Sequence, residues 1–191
     1  MIPVPSGSPI IRDRKLNEAE REALSAYGAD STFFHLVAQG HTELVTGRPD
    51  FDMFMMTGKT RRDAIDGLFE VSRLARALSL WSGHGHGWSI RGALEGPPDA
   101  FRGLTYRYPG FISSSLERSW CVEFLSKRHR SGSHPTLLRL DLPEGYPAID
   151  MHDGDHAGEF EILLPRSRSF IITDADRLEN DVLLLGLAPI A

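Results

Sequence analysis

The chain has 191 residues, 41% hydrophobic and 25% charged, which suits one folded domain around a single core and excludes a disordered chain. With 21 Lys and Arg against 26 Asp and Glu, the formal charge is −5, which argues against a dedicated nucleic-acid binder. The single cysteine, Cys121, excludes an internal disulfide and any CxxC zinc clamp.

The first residues hold Pro3 and Pro5 and no long apolar run, so no Sec-type signal peptide is expected. The longest apolar stretch, residues 182–191, falls short of the roughly 20 that span a bilayer. The expected compartment is a reducing cytosol. It is the producer's, or that of a target cell reached through a specialised secretion system.

Residues 1–15 read as a flexible N-terminal segment and 16–191 as a single domain. Asn17 stands three residues before Glu20, a capping-box spacing, and Ala23, Leu24 and Tyr27 then form a helical stripe that Gly28 closes. Asp30 or Ser31 opens a second helix through Phe34, Val37 and Ala38. Residues 61–80 read as a longer third one, with Ile65, Leu68, Val71, Ala75 and Leu78 as its stripe.

From about Trp88 alternation replaces the helical period. Residues 136–142 set Leu138, Leu140 and Leu142 opposite Arg139 and Asp141, and residues 159–164, 169–173 and 182–187 are further strands. A helix at 117–127 interrupts them, with Trp120, Cys121, Phe124 and Leu125 on one side. The predicted class is α+β, helices first and then a mostly antiparallel sheet, with no linker that would divide the chain.

Three segments could carry chemistry. In residues 158–165, strand alternation puts Glu159 and Glu161 on one face, about 6.5–7 Å apart, and Phe160, Ile162 and Leu164 on the other. Two carboxylates so close raise the proton affinity of at least one. In a cleft they suit chemistry through a sugar cation, one stabilising charge and one handling a proton. Alone, the pair is most simply a solvated strand face. The second segment is Ser113, Ser114 and Ser115 after Gly110, Phe111 and Ile112; an N-cap for the next helix explains one of the three hydroxyls. The third is Arg91–Gly92, a guanidinium suited to phosphate beside a bare backbone; alone, an edge-strand arginine and a turn glycine account for it.

Taken in order, Arg91–Gly92, Ser113–Ser114–Ser115 and Glu159–Phe160–Glu161 resemble the R-S-E signature of arginine-specific mono-ADP-ribosyltransferases, best the bacterial exoenzyme and toxin branch. The spacings, 22 residues from Arg91 to Ser113 and 48 on to Glu161, are those of the family, and residues 16–27 resemble its opening helix. The resemblance implies the ADP-ribosyltransferase fold, with N-terminal helices packed on a mostly antiparallel split β-sandwich that encloses an NAD cleft. Residues 16–191 would then be one catalytic domain.

It also implies roles. NAD is the substrate and no metal is expected. Arg91 would contact the NAD phosphates or adjoining ribose, and Gly92 the nicotinamide carboxamide. Ser113 would hold NAD and orient Glu161, with Ser114 and Ser115 shaping that strand end. Glu161 would bind the nicotinamide ribose and stabilise the cation, and Glu159 would engage the acceptor guanidinium. The expected activity is transfer of ADP-ribose to an arginine of a protein target, as a toxin or effector would do, with room for an immunity or chaperone protein. An NAD glycohydrolase and a catalytically silent binding module are the alternatives.

Departures from the family pattern are Ser114 in place of Thr, Ile90 in place of an aromatic, and a loop at 147–158 without Phe, Tyr or Trp. Tyr146, Met151 and His156 are the candidates to stand in for that loop's aromatic. Lys127, Arg128 and Arg130 read as a solvated helix end, His84 and His86 as a glycine-rich turn, and His152, Asp153, Asp155 and His156 as a polar loop rather than a metal site. Cys121 reads as a core residue.

Overall fold

The computed structural model describes residues 2–3, 8–29, 51–83, 97–128, 135–151 and 161–190. Helix α1, Glu18–Ala29, starts with the expected box: the Glu20 amide donates to Asn17 Oδ1 at 2.9 Å and the Asn17 amide to Glu20 Oε2 at 2.8 Å. Its stripe of Ala23, Leu24 and Tyr27 is buried. The expected second helix, from residue 30 or 31, lies outside the described residues.

Helix α2, Phe51–Leu68, corrects the expectation for residues 61–80. It stops at Leu68 in a turn where the Val71 amide donates to the Leu68 carbonyl, and the chain continues as strand β3, Ser72–Leu74, and strand β4, Leu78–Ser82. Val71, Ala75 and Leu78 keep a spacing of three and four, but the fully buried side chains are Leu74 and Leu80, while Val71 and Leu78 pack against the core only partly buried. They stand at strand period, alternating with Arg73, Ser79 and Trp81, and tertiary burial overrides the helical pattern.

Two short strands precede α1. Strand β1, Ile2–Pro3, pairs with β2, Ile10–Arg12, and β2 pairs with β3 in register Ile10↔Leu74, so strand structure reaches into the segment expected to be flexible. The other strands are β5, Thr105–Tyr108; β6, Ile112–Ser115; β7, Thr136–Leu142; β8, Ile149–Asp150; β9, Glu161–Leu164; β10, Arg168–Arg177; and β11, Leu183–Pro189. Helix α3, Arg118–Arg128, follows β6.

Eight strands hydrogen-bond in the order β5-β10-β11-β7-β4-β6-β9-β8, antiparallel except for β11 with β7. The order divides in two, because β4 and β6 share a single residue pair, Trp81↔Ser115, whereas β4 and β7 share five. Ile112, Ile162 and Leu164 from one part pack with Leu80, Leu138, Leu140, Phe170, Leu185 and Leu187 from the other in the largest core cluster. On the far side of β6 and β9, α1 and α2 bury Leu24, Tyr27, Ile65 and Leu68 with Phe111 and Leu163. On the far side of β4 and β7, α3 sets Cys121 and Leu125 on Leu137.

The class is α+β, as expected. Trp120 is the exception on α3: it is 45% exposed and not on the buried side with Cys121 and Leu125. At 100° per residue it falls too far round the helix from Leu125 to share a face a single sheet can cover. No helix among the described residues is long and apolar enough to cross a membrane.

Candidate active site

Glu161 and the serine run meet on adjacent strands. In the β6–β9 register Ser115 lies opposite Glu161, Ser114 opposite Ile162 and Ser113 opposite Leu163. Alternation therefore puts Ser113, Ser115, Glu161 and Leu163 on one face and Ser114 with Ile162 on the other. Leu163 packs in the cluster of Tyr27 and Phe111, so this face looks toward α1. Glu161, at the start of β9, is half-buried.

The three hydroxyls have different partners. Ser114 Oγ donates to the Ile162 carbonyl at 2.6 Å on the core side and fastens β6 to β9. Ser115 Oγ accepts from the Glu117 amide at 3.1 Å, closing a turn of two residues just ahead of α3. Ser113 Oγ lies 3.0 Å from the Tyr27 hydroxyl. The Ser113 carbonyl accepts from Ser82 Oγ at 2.7 Å, across the junction of β4 and β6.

Tyr27 and Ser82 are the site's additions to what the sequence reading proposed. Tyr27 is fully buried, with its ring edge-on to Phe111 at 5.9 Å between centroids. Burial first, and then the negative charge of Glu161, raise its phenol far above the ordinary range, against the lowering effect of the Ser113 hydrogen bond. It stays neutral at any working pH. From sequence Tyr27 is one apolar member of a helical stripe, and its hydroxyl carries no signal of where it points. Ser82 lies just past the helix expected over 61–80 and ahead of the expected strands, so neither its strand nor its partner could be read.

Arg91, Gly92 and Glu159 lie outside the described residues, as do His84, His86, Arg130, His152, Asp153, Asp155 and His156. Only the backbone of Lys127 and Arg128 is described. Two of the three candidates for the missing loop aromatic are committed elsewhere: Met151 is buried with the α1–α2 cluster, and Tyr146 packs against the main core. Cys121 is a core residue, as expected; its Sγ donates to the Trp81 carbonyl at 3.2 Å, and burial pushes the thiol up to about 11. Among the described residues no cluster of His, Cys, Asp and Glu could hold a metal ion.

Residues 92–184 match the family model of the ADP-ribosyltransferase exoenzymes. No curated protein matches the chain. The fold is similar to that of the Clostridium limosum C3 exoenzyme, with a TM-score of 0.67 at 17% identity over 93% of this chain and 87% of that one. It is similar to the Vis toxin of Vibrio splendidus in complex with agmatine, with a TM-score of 0.67 at 14% identity over 94% and 78%. The S. aureus C3stau2 structure with NAD gives 0.61 at 14% identity over 92% and 88%. Residues 92–184, just under half of the chain, thus match the exoenzyme family model, and over more than nine-tenths of its length the chain has the fold of the ADP-ribosyltransferase exoenzymes and toxins.

Proposed function

We propose that the chain cleaves NAD at the nicotinamide–ribose bond and transfers the ADP-ribose to an arginine side chain of a protein. The observation that supports this best is the β6–β9 register, which gives Glu161 and Ser113 one face at a buried junction. In this reading Arg91 grips the NAD phosphates, Gly92 lends its backbone to the nicotinamide amide, and Ser113 aligns Glu161. The glycosidic bond breaks with its electron pair leaving on nicotinamide, and positive charge develops on the ribose. A fixed carboxylate at that carbon, Glu161, stabilises the charge without reorganising. A guanidinium nitrogen then bonds to the same carbon and gives up a proton. Arginine's pKa above about 12 makes it a poor nucleophile, so Glu159 orients it and accepts that proton. The agmatine bound by Vis carries a guanidinium, and C3stau2 was solved with NAD; both are compatible with this assignment.

The test is incubation with labelled NAD and cell lysate, following released nicotinamide and locating protein-bound ADP-ribose by mass spectrometry. The expected result is label on arginine. Glu161→Gln removes both nicotinamide release and label, while Glu159→Gln loses arginine label and retains NAD hydrolysis. Free ADP-ribose without protein label would make the chain a glycohydrolase. No nicotinamide release at all would make it a binding module.

A further inference from the structure

Ser113 is held at both ends by residues remote in the chain. Its carbonyl takes the Ser82 hydroxyl from β4, and its Oγ meets the Tyr27 hydroxyl from α1, 86 residues away. We infer that Tyr27 is a positioning residue: by donating to Ser113 Oγ it leaves the serine proton to point along the β6 face toward Glu161. This assignment rests on the reading of Glu161 as the group that stabilises the ribose cation.

The direction of the hydrogen bond follows from chemistry. A phenol is a better donor than an alkyl hydroxyl, so in a Tyr–Ser pair the tyrosine donates and the serine accepts. Burial, and then the negative charge of Glu161, keep the proton on the phenol, so Tyr27 does not become an acceptor-only phenolate. With one lone pair of Ser113 Oγ occupied, the hydroxyl has fewer orientations open to it. Packing fixes the phenol in turn: the Tyr27 ring lies edge-on to Phe111, which stacks on Phe69 at 6.0 Å, and the whole side chain is buried. A hydroxyl anchored in this way is preorganised, and alignment of this kind acts on the barrier more than on ground-state binding.

The experiment is a double-mutant cycle on nicotinamide release, with Tyr27→Phe, Ser113→Ala and the double variant. Tyr27→Phe keeps the ring and its packing and removes only the hydroxyl. The expected result is a kcat about tenfold lower, the size of one lost hydrogen bond to a charged network, with KM within about twofold of wild type. In the Ser113→Ala background Tyr27→Phe costs nothing more, because the group it positions has gone. A hydroxyl that serves only the fold would instead lower the melting temperature and act additively with Ser113→Ala. Additive losses, or full kcat for Tyr27→Phe, overturn the assignment while leaving the proposed activity standing. A wild-type protein that releases no nicotinamide overturns both.

Discussion

Gly83 follows the last residue of β4, directly after the Ser82 that holds Ser113, and α3 passes close over it. A Cβ built there lies 2.8 Å from the Cys121 carbonyl oxygen, 3.2 Å from Phe124 Cδ1 and 3.3 Å from Leu125 Cγ. The two side-chain contacts can relax by rotation, but the carbonyl belongs to the backbone of α3, so the helix itself must move. Overpacking of this kind costs about 1–3 kcal/mol. For a domain of this size 1 kcal/mol shifts the melting temperature by about 2–4 °C, so Gly83→Ala should melt about 2–12 °C lower. Gly67 is the control: it lies in α2, and a Cβ there meets nothing within 4 Å. Gly67→Ala should gain up to about 1 kcal/mol from helix propensity and melt slightly higher. Thermal unfolding followed by circular dichroism reads both. If Gly83→Ala melts at or above wild type, α3 does not press on β4 as the structure has it.

The capping box makes α1 sensitive to acid. The Arg14 hydrogen bonds, then the Asn17 amide, hold the Glu20 carboxyl below its usual range. Its contribution is therefore present above the unfolded value and is lost as pH falls through the lower folded one. Glu20→Gln should be less stable than wild type at pH 7, with the gap closing below about pH 4 in urea titrations. A gap that persisted into strong acid would refute the ion pair. Asn17→Ala should cost about 1 kcal/mol in the same titration at every pH, and an unchanged midpoint would deny the cap. Cys121, 7% exposed with its thiol pushed up to about 11, should react with a disulfide reagent at pH 8 only after unfolding. Rapid labelling of the native protein would show α3 opening from the sheet.

What was legible in the sequence followed the strength of local signals. The capping box, the stripe of α1 and the alternation of β7 each carry information within a few residues, and each appears where expected. Residues 69–82 carry two superimposed periods, and only the burial of Leu74 and Leu80 against distant strands decides between them. The site was legible as a set of residue types, since a serine run and a glutamate pair have local chemical character. Their mutual placement was not, because the 48-residue interval between Ser114 and Ile162 closes only through the β6–β9 register. Tyr27 and Ser82 were invisible for the same reason: each is an ordinary helix or strand residue until its partner's position is known.

The large sheet is weakest in backbone pairing where the site stands. Between β7 and β11 five residue pairs share the load, so no single side chain is needed to align those strands. Between β4 and β6 one pair remains, and a side chain supplements it: Ser82 reaches the Ser113 carbonyl. Stability and activity should therefore separate along the sheet. Leu185→Ala, in the core of β11, should cost about 2–5 kcal/mol in stability and leave kcat near wild type well below its melting point. Ser82→Ala removes one buried hydrogen bond, about 1 kcal/mol, yet frees the backbone of Ser113 and should lower kcat several-fold. Paired melting curves and nicotinamide-release rates for the two variants test this. A Ser82→Ala enzyme with full kcat, beside a Leu185→Ala enzyme with a reduced one, would show that the alignment of Ser113 does not depend on the junction between β4 and β6.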